Sequence, residues 1–348
     1  MNSILEEDIK NIADSKLVNW EEFNNKSILI TGATGLICSI MIKAFCKKKL
    51  NLKMYLLVRN KENAKQMYGE NENIEYIESS IENFNVEDIK VDYIIHAASP
   101  TKSKFFVEKP VETLNTAVLG TKNILEFAKN IGIKSMVYLS SMEMYGTIND
   151  ENVTEEKLGY INTLNVRSSY SEGKRVCELY CYSYQKEYGV PVKIARIAQT
   201  FGAGISKNEN RVYKIFADAV INKEKIVLKS KVARSLNTII NYSYTTDTVI
   251  ALLVLLLKGK NGEAYNVVGE KTNMTILESA KWLADEFGEG KTDVIIDIPK
   301  ENAGFAPDNK MVLNNEKLKN IGWNSNYTLK QGYTRLINYL KEEKNNEK

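Results

Sequence analysis

Tyr170 and Lys174 stand four residues apart in the stretch YSEGK. On a helix, that spacing puts both side chains on one face. A phenol, with a pKa of about 10, is a poor base near neutrality. A neighbouring ammonium favours the phenolate and brings it into the range where it can move a proton. The same lysine can reach a cofactor ribose. A lone YxxxK is common by chance, so the pair needs company. SSMEMYG supplies it. Ser141 can hydrogen-bond the substrate oxygen whose proton Tyr170 handles, and Glu143 adds a carboxylate to the same cleft.

A second constellation is KSILITGATGLICS, residues 26–39. Gly32, Thr34 and Gly35 stand between an apolar strand and the start of a helix. A turn that lacks Cβ atoms there lets amide N–H groups face an anion at a helix N-terminus. Isolated glycines in such turns mean little; this set sits in the strand–turn–helix context that a dinucleotide pyrophosphate requires. The strand after the helix ends in VRNK rather than in a carboxylate. An acid there would take a ribose 2′-hydroxyl; Arg59 would pair with a 2′-phosphate. The expectation is therefore NADP(H), with NAD(H) as the alternative.

Stepping along the chain, apolar strands alternate with amphipathic helices. Strands fall at 27–31, 54–59, 74–78, 91–98, 135–141 and 191–196; the main helices fall at about 36–48, 110–131 and 170–188. Continuous apolar strands separated by helices predict a parallel sheet covered on both faces. The fold class is α/β, a Rossmann-type doubly wound sheet over 26–202. A smaller α+β substrate lobe follows over 203–340, from which a segment near 240–260 returns to the first domain. Residues 1–25 are expected to form an amphipathic helical extension on its outside, and 341–348 a polar tail.

Composition narrows the class. The chain has 348 residues with 43% hydrophobic, enough for a sizeable core, and a net charge of only +3, with lysines scattered rather than clustered. That gives no support for binding nucleic acid or a membrane surface. Cys38, Cys46, Cys177 and Cys181 show no metal spacing, and His96 is the single histidine, so no metal is expected. Free thiols suit a reducing cytoplasm. The N-terminus is polar and acidic, unlike a signal peptide, and the longest apolar run, Val249–Leu257, is too short to span a bilayer.

TGATGLI, HAAS, LNTAVLGTKNILEFA, SSMEMYG, YSEGK, RIAQTFG, NRVYKIF and TTDTVIALL occur in this order. Across roughly residues 26–330 the chain resembles an extended short-chain dehydrogenase/reductase of the nucleotide-sugar epimerase/dehydratase type. The resemblance implies a nucleotide-sugar substrate. Gly32, Thr34, Gly35, Leu36 and Ile37 would line the cofactor pyrophosphate, Arg59 and Asn60 the adenosine end, and Ala97, Ala98 and Ser99 the remainder. Ser141, Tyr170, Lys174 and Glu143 would be catalytic. Met142, Gln199 and Arg211, with Ser141 and Glu143, would meet the substrate. Helices near 114–128 and 170–188 form a dimer contact in relatives, so a homodimer is expected.

Departures from the family pattern bear on the reaction. Cys38 replaces the third glycine of the turn, and a buried packing role with a slightly displaced helix is expected. Met142 stands where the 4,6-dehydratases have a proton-donating Asp, which counts against dehydration. Glu143 is retained, as in UDP-glucuronate decarboxylases, but the arginine those enzymes carry is replaced by Ile240, and the nearest arginine is Arg234. His96 reads as a satisfied core residue. With Arg59, these features favour net reduction of a CDP- or UDP-linked keto sugar by NADPH. The alternatives are an epimerase, decarboxylase or dehydratase that recycles its bound cofactor, and, from another class, an NADP-binding redox sensor without turnover.

Overall fold

The computed structural model describes residues 2–85, 89–229, 236–297 and 309–346. Arg234 lies outside these residues. Seven parallel strands form the main sheet. Five come first: β1 (Lys26–Thr31), β2 (Leu52–Val58), β3 (Ile74–Glu78), β4 (Tyr93–His96) and β5 (Ser135–Ser141). Val192–Ile197 and Ala264–Val267 complete it, and the order across the sheet is β3-β2-β1-β4-β5, then Val192–Ile197, then Ala264–Val267. The order reverses between β1 and β4, and ligands of open α/β sheets bind at the carboxyl ends beside such a point.

Successive strand residues point to opposite faces, and both faces are buried, so the strands read as unbroken apolar runs. Ile28, Ile30, Leu56, Ile95 and Val137 face one layer. That layer includes α2 (Leu36–Lys48) and the helices Val212–Asn222 and Thr245–Lys258. Leu29, Leu57, Ile94, Met136 and Tyr138 face the other. It is built mainly from α5 (Pro110–Ile131) and α6 (Ser168–Tyr188). Between α2 and α5 come α3 (Lys61–Tyr68) and the short α4 (Ser103–Glu108).

Three expectations change on folding. The N-terminal helix α1 (Ser3–Ala13) is part of the core: Leu5, Ile9 and Ile12 are buried in it, and Asp8 is fully buried against Tyr244 and Arg335. The final helix runs over Leu329–Asn346, taking in most of the expected polar tail, because Glu342 accepts from Ser3 and Glu343 from Asn2. The segment that returns to the main sheet extends beyond 260. Ala264–Val267 pairs with Val192–Ile197 in register, Ala264 opposite Ile194.

Among the described residues no helix is long and apolar enough to cross a membrane. All four cysteines are free, and no cluster of metal-ligating side chains occurs among the described residues.

Candidate functional site

The floor of the site is the turn after β1. Gly32 has φ +67°, and a Cβ there would lie 2.9 Å from the Ala97 and Ala98 backbone. Glycine therefore satisfies both the left-handed backbone and the close approach. The Gly35 amide donates to the Gly32 carbonyl at 2.9 Å and closes the turn. Gly35 then caps α2 with no side chain over the helix end. Gly35 is exposed and Leu36 and Ile37 are partly so, which leaves the first turn of α2 accessible to an anion. This donor set fits a dinucleotide pyrophosphate. Cys38 is buried one turn in, its sulfur 3.9 Å from the Thr31 carbonyl oxygen, and burial pushes its thiol up to about 12. It is a packing residue, inert near neutrality.

Thr31 joins this turn to the end of β4. Its Oγ1 accepts from the amides of Ala97 and Ala98, each at 3.0 Å. Those amides leave the sheet ladder for Thr31, which is why β4 ends at His96 and not at 98. With both amides donating to it, the Thr31 hydroxyl gives its own proton to His96 Nδ1 at 2.8 Å. Nε2 then carries the ring proton and donates to Thr121 Oγ1 at 3.1 Å. Burial, with the Lys174 charge second, lowers the His96 pKa to about 3. The histidine is a neutral core residue that sets the cofactor-facing loop.

At the carboxyl end of β5 the chain turns sharply at Met142–Tyr145. Ser141 Oγ accepts the Glu143 backbone amide at 3.2 Å, which holds the serine side chain against the turn. Tyr170 meets this turn from α6. Its ring lies flat on Phe106, with centroids 4.2 Å apart and planes 10° from parallel. Burial pushes its pKa up to about 12; the Glu143 charge also raises it, while the Ser141 hydroxyl, Arg211 and Arg167 lower it. Lys174 Nζ lies 5.8 Å from the centre of the Tyr170 ring and 4.9 Å from that of Tyr138. It donates to the Leu139 carbonyl at 2.7 Å, and burial brings its pKa down to about 8. The leading cations that ease ionisation of Tyr170 here are two arginines, Arg211 and Arg167.

A buried polar network holds the turn from behind. Arg196 Nη2 meets Glu178 Oε2 at 2.7 Å, and Arg196 Nη1 donates to Tyr145 Oη at 2.9 Å. Tyr145 Oη donates to Asn266 Oδ1 at 2.7 Å, and Ser140 donates to Glu178. Arg175 on α6 donates to the carbonyls of Met144 (2.6 Å), Tyr145 (3.0 Å) and Gly159 (2.7 Å). These bonds bind the Ser141–Glu143 turn to the helix that carries Tyr170.

The remaining expected residues divide into two groups. Arg211, just before helix Val212–Asn222, donates to the Thr101 carbonyl at 3.3 Å and faces the Tyr170 side. Gln199 follows Val192–Ile197, whose last residue lies opposite Ser141. Ser99 is partly buried beyond β4. Thr34 and Arg59 are exposed, Arg59 at the end of β2 with no ion pair among the described residues. Asn60 is engaged otherwise: its side chain caps α3 by accepting the Asn63 amide at 2.7 Å. Met142 packs against the small cluster of Met144, Tyr145, Val153 and Met311. Sequence reasoning did not anticipate Phe106, Thr31, Arg167, Arg175, Glu178 or Arg196. Arg167 and Arg175 flank the YSEGK stretch and were the most accessible of them to inspection.

The model of the NAD dependent epimerase/dehydratase family matches residues 28–268. UDP-glucuronic acid decarboxylase 1 of Xenopus tropicalis is 28% identical over 327 residues, covering 92% of this chain and 74% of the relative. Among solved structures, UDP-glucuronic acid 4-epimerase from Bacillus cereus, in complex with UDP-glucuronic acid and NAD, aligns with a TM-score of 0.75. It is 18% identical and covers 91% of this chain and 99% of that one. The dTDP-glucose 4,6-dehydratase of Bacillus anthracis, in complex with NAD, aligns with a TM-score of 0.74 at 22% identity, covering 92% and 98%. These structural likenesses speak to the fold.

Proposed function

This chain belongs to the NAD dependent epimerase/dehydratase family, and we propose that within it the protein is a closed-cycle nucleotide-sugar enzyme. It is an enzyme of the short-chain dehydrogenase/reductase kind. Its relatives act on nucleotide sugars and include decarboxylases, epimerases and dehydratases. The favoured substrate is a UDP-linked uronic acid, the favoured reaction epimerisation or decarboxylation, and the favoured cofactor a resident NAD. This replaces the net keto-sugar reduction expected from Arg59. The carrying observation is Ser141 and Glu143 on one turn beside Tyr170, with Arg167 paired to Glu143 and Arg211 on the Tyr170 side.

Gly32, Thr34, Gly35, Leu36 and Ile37 would hold the pyrophosphate, and Ala97, Ala98 and Ser99 the nicotinamide side. Bound there, the dinucleotide accepts and returns a hydride. Tyr170 Oη takes the proton of a sugar hydroxyl and later gives it back. Ser141 Oγ holds that oxygen in line. Lys174 Nζ would offer a donor to the cofactor ribose. In decarboxylation the carbon that loses CO2 must take up a proton, and Glu143 would relay it from solvent. Met142 has no proton to give a leaving hydroxyl, which argues against dehydration. Gln199 and Arg211 would meet the nucleotide diphosphate.

Arg59 favours a second reading, a reductase that consumes NADPH. Its exposed guanidinium ends β2 with no acidic neighbour in sequence until Glu62. Denaturing the purified protein and identifying the released nucleotide separates the two. NAD at near-stoichiometric amounts supports the closed cycle; an empty site, with NADPH consumed on a keto sugar, overturns it.

A homodimer is part of this proposal. The outer faces of α5 and α6 leave Val111 63%, Leu119 45%, Leu179 64% and Tyr182 47% exposed. A second copy would cover such a face.

A further inference from the structure

We propose that Arg167 is a positioning residue for proton transfer: it holds the Glu143 carboxylate in a forked ion pair and offsets that charge beside Tyr170. The inference rests on the reading of Tyr170 as the proton carrier. Arg167 Nη1 lies 3.1 Å from Glu143 Oε2, and Nη2 lies 3.4 Å from Oε1. Two parallel contacts fix the carboxylate in orientation as well as in place, which a lysine could not do. Both side chains are partly buried, at 22% and 31% exposure, so solvent screens the pair less than it would at the surface.

The arginine is itself held. Asn165 accepts the Arg167 amide through its side chain at 3.0 Å, and Ser168 Oγ donates to the Asn162 carbonyl at 2.6 Å. This folded segment brings Arg167 to the start of α6, one turn before Tyr170 on the same helix. The backbone that carries Glu143 is held by the Ser141 hydroxyl and, one residue on, by Arg175 at the Met144 carbonyl. The geometry therefore sets a carboxylate and a phenol in one cleft, with the guanidinium bound to the carboxylate.

Every charged group around the phenol enters the account. Ser141 and Glu143 face it from the turn after β5, Arg167 from the head of α6, and Arg211 from the loop before helix Val212–Asn222. Lys174 sits under the ring, Arg211 is shared with Glu209 at 3.3 Å, and Arg175 is engaged with Glu172 at 3.2 Å. His96 is neutral. Glu143 is thus the acid whose charge bears most on the phenol, and Arg167 is its partner.

The test is an ultraviolet titration of tyrosinate in the full-length, NAD-loaded protein, with the Tyr170→Phe variant subtracted to isolate Tyr170. Arg167→Ala is expected to raise the Tyr170 midpoint by about one pH unit, since a cation is lost and an anion is uncovered. Arg167→Lys, which retains the charge, should keep most of the wild-type midpoint, and Glu143→Gln should lower it. In the Glu143→Gln background, Arg167→Ala should shift the midpoint by less than half as much. An unchanged midpoint in Arg167→Ala, or a shift as large without Glu143 as with it, overturns the proposal. The titration needs no turnover, so it stands apart from the closed-cycle reading. That reading fails instead if Tyr170→Phe retains full activity on UDP-glucuronic acid.

Discussion

Phe106 lies flat against Tyr170, ring centres 4.2 Å apart and 10° from parallel. The stack comes from α4, a helix otherwise remote from α6 in sequence, and it orients the phenol towards Ser141. Because a phenylalanine at 170 would keep the same stack, Tyr170→Phe isolates the hydroxyl. Turnover should fall about 10²- to 10⁴-fold, the usual worth of a positioned acid–base group. Thermal unfolding and NAD binding should be unchanged. Loss of NAD binding along with turnover would assign Tyr170 to the fold rather than to proton transfer.

The histidine gives a pH prediction. His96 is buried and neutral, with its folded pKa depressed to about 3 against an ordinary value of 6.5. The unfolded chain takes up a proton at His96 before the folded chain does. The contribution is therefore fully present above about pH 6.5 and is lost as pH falls towards 3, by a few kcal/mol at most. Denaturant unfolding at pH 7 and pH 5 should show a loss on acidification that is smaller in His96→Asn. The same loss in both proteins would place the acid sensitivity elsewhere.

Glu178 and Arg196 form a buried ion pair at 2.7 Å that also anchors Ser140 and Tyr145. Removing one partner strands the other charge. Glu178→Ala should cost about 3 kcal/mol in urea unfolding. A cost within experimental error of zero would mean that solvent reaches Arg196 without resistance.

Much of the site could be read directly from the chain where its parts are local. Gly32 and Gly35 share one turn, Ser141 and Glu143 another, and Tyr170 and Lys174 one helical face; short-range spacing dictates each. The alternating strands and helices likewise predict the parallel sheet, because both of its faces are buried. Relations that depend on the tertiary path were not legible. Phe106 reaches Tyr170, Arg167 reaches Glu143, and Glu178 reaches Arg196 only once separate segments are folded together. Lys174 shows the converse: its spacing is right, yet burial and the Leu139 carbonyl direct its ammonium. Asn60 has a local role that its position at a strand end did not reveal, since its side chain caps α3.

Arg59 offers a test of cofactor choice. If it faces the adenosine end, Arg59→Ala should weaken NADP+ binding about tenfold or more, the value of a charge-assisted contact, and leave NAD+ binding within about twofold. Calorimetric titration with each nucleotide measures this. Equal losses for both would remove Arg59 from the 2′ position.

The exposed face of α5 and α6 predicts association. Light scattering at micromolar concentration should give the mass of two chains, and Leu179→Glu should return that of one, since Leu179 is an apolar side chain 64% exposed on that face. A wild-type mass of one chain rules the dimer out.

The closed cycle itself is tested most directly by product analysis. The purified enzyme would be incubated with UDP-glucuronic acid, NADH and NADPH absorbance followed, and the sugar products identified by mass and NMR. The account predicts an epimer or a decarboxylated pentose, formed over many turnovers with no net change in reduced nucleotide and abolished by Tyr170→Phe. Stoichiometric consumption of NADPH on a keto sugar, with no conversion of the uronic acid, would contradict it.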